Sequence, residues 1–318
     1  MTAPACRIAT QSHARHHARW FCLFWFILAS FASSAQKVSV LDEARSLVRD
    51  GKPREAEAAV RRYLSEGTDG EEARSLLGLI LYQEDKPADS LAEFTRAARF
   101  ATPTSSKLIV VALDYVLLKD LPKADKWMTA AVEKQPENAA AWRYIGGIKY
   151  SENRFSEAIE SYKKSLALHP GDVLVQDGIG RALEGLSRDD DAISAYKEAL
   201  QWQSGSPQKH PEPMLHLGAL LLRKGEVPSA LSLLLSAEQL SPNDAAIREQ
   251  LGNAWMQSGN LAKAQKEVET ALTLSPRNSH LHWLLASIYR KEGLTEQANR
   301  ELKQYSALLG AHSSDKLQ

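Results

Sequence analysis

Small and large apolar residues recur along this chain with a period of 34 residues. Aligned from Lys37, the sequence falls into rows 37–70, 71–104, 105–138, 139–172 and 173–206; after four additional residues come 211–244, 245–278 and 279–312. The twentieth position of the rows holds Ala56, Ser90, Ala124, Ala158, Ala192, Ala230, Ala264 and Ala298. The eighth holds Ala44, Gly78, Ala112, Gly146, Gly180, Gly218, Gly252 and Ala286, again nothing larger than a methyl. Bulkier groups stand between them, as at Leu77, Ile145, Leu217, Leu251 and Leu285, or at Phe94, Tyr162, Tyr196 and Leu234. Large set against small is how close-packed helix crossings are filled, so each row predicts two helices that meet at the small positions.

The turn residues agree. Gly51, Gly225, Gly259 and Gly293 suit a left-handed residue that ends the first helix of a row. Pro53 and Pro87, with Pro122 and Pro228 one place later, suit the first turn of the second helix, where no amide donor is needed. Pro136, Pro170, Pro242 and Pro276 stop that second helix.

The row from Ala139, with Trp142, Gly146, Ala158, Tyr162 and Pro170, resembles the tetratricopeptide repeat, and the resemblance covers nearly all of the chain from Lys37 onward. It implies an all-α fold, a right-handed α-solenoid of eight helical hairpins whose first helices line a concave side, and a role in binding other proteins. The outer rows drift from the pattern, with Glu43 in the first and Tyr63 and Tyr305 where a small residue is usual. Terminal repeats face solvent on one side and are expected to differ. Residues 313–318 are expected to form a disordered tail.

Ahead of the repeats, Trp20 to Ala32 is an uncharged, apolar stretch that follows Arg7, Arg15 and Arg19 and leads into Ser33, Ser34 and Ala35. A basic stretch, a short apolar core and a small-residue exit describe a signal peptide over residues 1–35, cleaved between Ala35 and Gln36. Its apolar core is shorter than the roughly 20 residues of a membrane span. Export to the periplasm or beyond is therefore expected, with membrane association through an uncleaved leader as the alternative. Both cysteines, Cys6 and Cys22, lie in this segment, so the mature chain has no disulfide and no cysteine metal site.

The chain has 39 basic and 39 acidic residues, and removing the three leader arginines leaves 36 basic (39 − 3), which gives no general attraction for nucleic acid. Motifs of catalysis are not found. Gly178 and Gly180 form a lone Gly-x-Gly that fits a close helix crossing better than a phosphate loop. His280 and His282 lie two apart and face different ways on a helix, against a shared metal. Asp189, Asp190 and Asp191 read as a helix start favoured by the macrodipole. The cationic clamp with which some relatives hold a C-terminal carboxylate has no match at Ile109, Leu113 or Tyr144. No enzyme activity, cofactor, metal or small-molecule substrate is expected.

At 100 degrees per residue, the second, sixth, ninth and thirteenth positions of a row point away from the packed side of the first helix. In the second and third rows this face carries Leu76, Leu79, Val110, Leu113 and Leu117, with Tyr144 just beyond. In the sixth and seventh rows it carries Glu212, His216, Ala219, Arg223, Gln250, Asn253 and Gln257. The expected partner-binding residues are those of the apolar end. From Leu108 to Leu118 only Asp114 interrupts the apolar run, so this helix is either covered by its neighbours or a docking site for an apolar or amphipathic peptide. The functional expectation is an exported scaffold or adaptor that binds peptide or helical segments of partner proteins. A carrier or assembly chaperone that shields an apolar ligand or an unfolded envelope protein is the alternative.

Overall fold

The computed structural model describes residues 39–314, with side chains through residue 310. Among the described residues there are helices and turns but no strand. The first four hairpins are α1 (Val40–Arg49) with α2 (Pro53–Ser65), α3 (Glu71–Gln83) with α4 (Pro87–Ala97), α5 (Ser105–Leu117) with α6 (Leu121–Lys134), and α7 (Ala139–Ser151) with α8 (Phe155–Leu168). The last four are α9 (Val173–Gly185) with α10 (Asp189–Gln203), α11 (Glu212–Arg223) with α12 (Val227–Leu240), α13 (Ala245–Gln257) with α14 (Leu261–Leu274), and α15 (Ser279–Lys291) with α16 (Thr295–Ser314). Each row of the sequence is one hairpin of an all-α solenoid. The final helix runs through Ser314, into the tail expected from residue 313, while the expected leader lies outside the described residues.

The small positions pack as their size requires. The alanines of the twentieth position and Ser90 are all buried. A Cβ on Gly78 would stand 2.9 Å from the Phe94 ring, and one on Gly218 would stand 2.8 Å from Leu234. Gly146 and Gly180 lie under Tyr162 and Tyr196 at still closer range. Gly178 and Gly180 are thus inside α9 and serve helix packing.

Local capping couples one hairpin to the next. Asn138, Asp172, Asp244 and Asn278, each two residues after a helix-stopping proline, turn a side-chain oxygen onto amides of the first turn that follows. Row two lacks this proline–cap pair, and its second helix α4 is 11 residues long against 14 for α6 and α8. At this seam a cleft of about 250 Å³ remains between α4, α5 and α6, lined by Phe94, Ala98, Leu108, Val111, Tyr115 and Trp127.

The hairpin turn is left-handed in every repeat, whatever residue occupies it. Gly51, Gly225, Gly259 and Gly293 have φ between 74° and 81°, while Asp85, Lys119, Asn153 and Ser187 at the same position have φ between 57° and 60°. A left-handed residue with a side chain costs roughly 1–2 kcal/mol, which the surrounding hairpin absorbs. The four inserted residues fall in the loop between α10 and α11. Gln203, 2% exposed, clamps that loop by accepting from His210 N at 2.8 Å and donating to His210 O at 3.1 Å.

Odd-numbered helices of successive hairpins touch each other, α5 and α7 at most weakly, whereas even-numbered ones make no comparable contact among themselves. The layer in which successive helices come closer is the inner side of a curved stack.

Candidate functional site

The inner layer presents a row of polar and aromatic side chains held across hairpins. Arg181 of α9 lies over the Tyr150 ring of α7 at 4.4 Å. His216 of α11 reaches the buried Asp177 of α9 at 2.8 Å. Arg223 of α11 pairs with Glu184 of α9 at 2.5 Å. His280 of α15 pairs with Glu249 of α13 at 2.9 Å and stacks on the exposed Trp283. His282 turns instead to Glu301 of α16 at 2.7 Å, so the two histidines serve different carboxylates.

These contacts are stabilising mainly as positioning devices. Exposed pairs contribute about 0.2–1 kcal/mol each, too little to hold the fold but enough to bias rotamers. Apart from His282, whose partner lies in its own hairpin, helix-to-helix spacing puts each group one hairpin away from its partner, which is why the pairs run along the row. The polar face expected around His216 and Arg223 is present, and its acidic partners come from positions the helical wheel had left unassigned.

The expected apolar partner-binding residues do not share one environment. Leu76 is 8% exposed and belongs to the core formed with Leu41, Ala44 and Leu77. Leu113 is 9% exposed. Leu79, Val110 and Tyr144 are half-buried, and Leu117 is 43% exposed. The expectation that Leu76 and Leu113 lie on a free face is corrected, since both are buried, while Leu79 beside them in the pattern is half-buried: a helical wheel accounts for the hairpin partner, but α3 also touches both α1 and α5. The apolar helix α5 is covered along most of its length and bare at its end, where Leu117 and Leu118 emerge.

Two features escaped the sequence reading. Arg181 and Tyr150 form an inter-repeat stack that no motif marks. Asp114 is completely buried, accepts from Ser90 Oγ at 2.6 Å through Oδ2, and leaves Oδ1 without a partner among the described residues. Burial raises its carboxyl to about 7. Among the described residues, no group of three or more His, Cys, Asp or Glu is placed to hold a metal ion, and no helix is long and apolar enough to cross a membrane.

Known proteins share this architecture. The solved Cut9–Hcn1 hetero-tetramer of the APC/C superposes over 86% of this chain and 54% of that one, with a TM-score of 0.63 at 17% identity. PilW, a type IV pilus biogenesis factor, superposes over 65% of this chain and 94% of its own, with a TM-score of 0.58 at 20% identity. In sequence, the Arabidopsis thaliana protein CTR9 homolog is 26% identical over 174 residues, 52% of this chain but only 16% of that protein. A family model of the tetratricopeptide repeat matches residues 41–106, 114–173, 178–245 and 249–312, most of the chain. With its periodic small positions, its hairpins and this match, the chain belongs to the tetratricopeptide repeat family.

Proposed function

We propose that the protein is an exported interaction scaffold whose odd-helix groove holds a peptide or helical segment of a partner protein. The observation that carries this reading is the row of inter-repeat contacts from Tyr150 to Trp283. Side chains held in place beforehand lose less freedom on binding, so more of the contact energy becomes affinity. A non-catalytic role fits the same row, because its acids and bases are tied to each other across helices. Export rests on the leader pattern of residues 1–35.

A photoreactive benzoylphenylalanine at Ala219 on α11 should cross-link the partner in the intact envelope, and one at the exposed Lys197 on α10 should not. Equal cross-linking from both positions would overturn the groove assignment. N-terminal sequencing of the same preparation should begin at or near Gln36.

The second reading, a carrier for an apolar ligand, draws on the cleft at the seam of α4, α5 and α6. Its volume of about 250 Å³ falls below the roughly 300–1,000 Å³ of ordinary ligand pockets. The scaffold reading therefore stands first. Lipid extracted with the purified protein, with no cross-linked polypeptide, would reverse that order.

A further inference from the structure

Two adjacent hairpins build the same corner in different ways. In the fifth, the Tyr196 ring crosses Gly180 and its hydroxyl donates to Glu184, which Arg223 of the next hairpin also holds. Phenol, carboxylate and guanidinium close a triplet. In the fourth, the Tyr162 ring crosses Gly146 in the same manner, but the place equivalent to Glu184 is Tyr150. Arg181 of the next hairpin lies on that tyrosine and has no carboxylate within ion-pair distance among the described residues. The Tyr162 hydroxyl likewise has no hydrogen-bond partner among them.

Two glycines border this corner. Gly147 of α7 and Gly178 of α9 put no side chain in front of the Tyr162 hydroxyl: Cβ atoms there would stand 3.9 Å and 3.2 Å from it. Charged groups that act on this phenol are Arg181, Arg143 and Asp177. Asp177 is engaged by His216 at 2.8 Å, and Arg143 has Asp172 as its ion-pair partner at 4.0 Å and lies 5.5 Å from the centre of the Tyr144 ring. Arg143 thus has a carboxylate of its own and Asp177 is held by His216, which leaves Arg181 as the guanidinium here with no ion-pair partner among the described residues. Tyr162 itself is 7% exposed, and burial pushes its phenol up to about 12, so it remains a donor at any physiological pH.

We propose that the glycine-bordered corner between α7 and α9 takes a carboxylate of a bound peptide, which completes with Tyr162 and Arg181 the triplet that Glu184 completes internally one hairpin later. The inference rests on the groove reading above and adds the chemistry of one contact. A carboxylate accepts from both donors at once, whereas a neutral group leaves the guanidinium unpaired. The stack on Tyr150 fixes the Arg181 plane in advance.

The test uses a displayed library of random dodecapeptides with blocked C-termini, selected on the full chain. Selected binders are expected to share one Asp or Glu. Changing that acid to its amide in a synthetic binder should weaken binding by about 10-fold or more. Arg181→Gln should weaken the acidic peptide equally and the amide peptide no further. Tyr162→Phe, which keeps the ring over Gly146, should cost several-fold with unchanged helicity and unfolding temperature. Restoring the amide peptide with a free C-terminus, in an Arg181-dependent way, would support the same chemistry from a chain end. Binders that depend on His216 or Asn253 but share no acid, or whose acid is indifferent to Arg181→Gln, would overturn the carboxylate assignment and leave the groove intact. An absence of binders that depend on any odd-helix residue would overturn both.

Discussion

Ser90 Oγ donates a 2.6 Å hydrogen bond to Asp114 Oδ2 across the seam between the second and third hairpins, and both side chains are fully buried. Each is an exception to its position. The other rows carry alanine where Ser90 stands, and beyond Ser46 they carry Ile80, Ile148, Ala182, Leu220, Ala254 and Ile288 where Asp114 stands. The pair makes the seam pH-sensitive. A carboxyl raised from 3.8 to about 7 by burial holds its proton in the fold over a range where the unfolded chain has released it. Stability contributed by this group is therefore full below about pH 4 and falls as pH rises towards 7. The unfolding free energy of Asp114→Asn minus that of the parent should shift in the variant's favour by roughly 2–3 kcal/mol between pH 5 and pH 8. A pH-independent difference in urea titrations would contradict the buried proton.

Gly146 and Gly147 are neighbours with opposite expected responses to a methyl group. A Cβ on Gly146 runs into the Tyr162 ring, whereas one on Gly147 meets only the Tyr162 hydroxyl, at 3.9 Å. Gly146→Ala should destabilise by about 1–3 kcal/mol through overpacking. Gly147→Ala should gain up to about 1 kcal/mol from helix propensity. Thermal unfolding of the two variants checks both signs, and a loss at both would mean that the groove face is packed at Gly147 as well.

The repeat phase, the hairpin boundaries and the small positions were legible in the sequence because each is set within a hairpin or at its crossing. Alanine at 56, 124 and 158 records a distance between helix axes, and a distance leaves a size signature. The environment of Leu76 and Leu113 was not legible, because it depends on contact between odd helices that lie a whole period apart. The Arg181–Tyr150 stack escaped for the same reason. Ser90 and Asp114 did leave a trace: two polar exceptions in otherwise small or apolar columns, at adjacent rows.

The left-handed turn positions offer a stabilising substitution. Lys119 has φ 60°, where four other hairpins use glycine. Lys119→Gly should raise stability by roughly 0.5–1 kcal/mol through relief of the Cβ clash, less the added freedom of the unfolded chain. Denaturant titration measures it, and an unchanged or lower midpoint would show that the turn carries no strain there.

The loop between α10 and α11 is clamped by Gln203 on both polar groups of His210. Gln203→Ala should leave two backbone groups unpaired and speed proteolysis between Ser204 and Pro211 several-fold, with cleavage elsewhere unaltered. Equal rates in parent and variant would show that the clamp does not control opening of the loop.

The central claim, that partners bind on the odd-helix face, is tested most directly by hydroxyl-radical footprinting of the chain with and without its cross-linked partner. Trp283 on α15 and Leu117 at the end of α5 are exposed on odd helices, while Leu240 of α12 and Phe100 after α4 are exposed away from them. The account predicts lower oxidation at Trp283, and at Tyr150 beside Arg181, with Leu240 and Phe100 unchanged. Protection of Leu240 or Phe100 with Trp283 and Tyr150 still fully oxidised would contradict it.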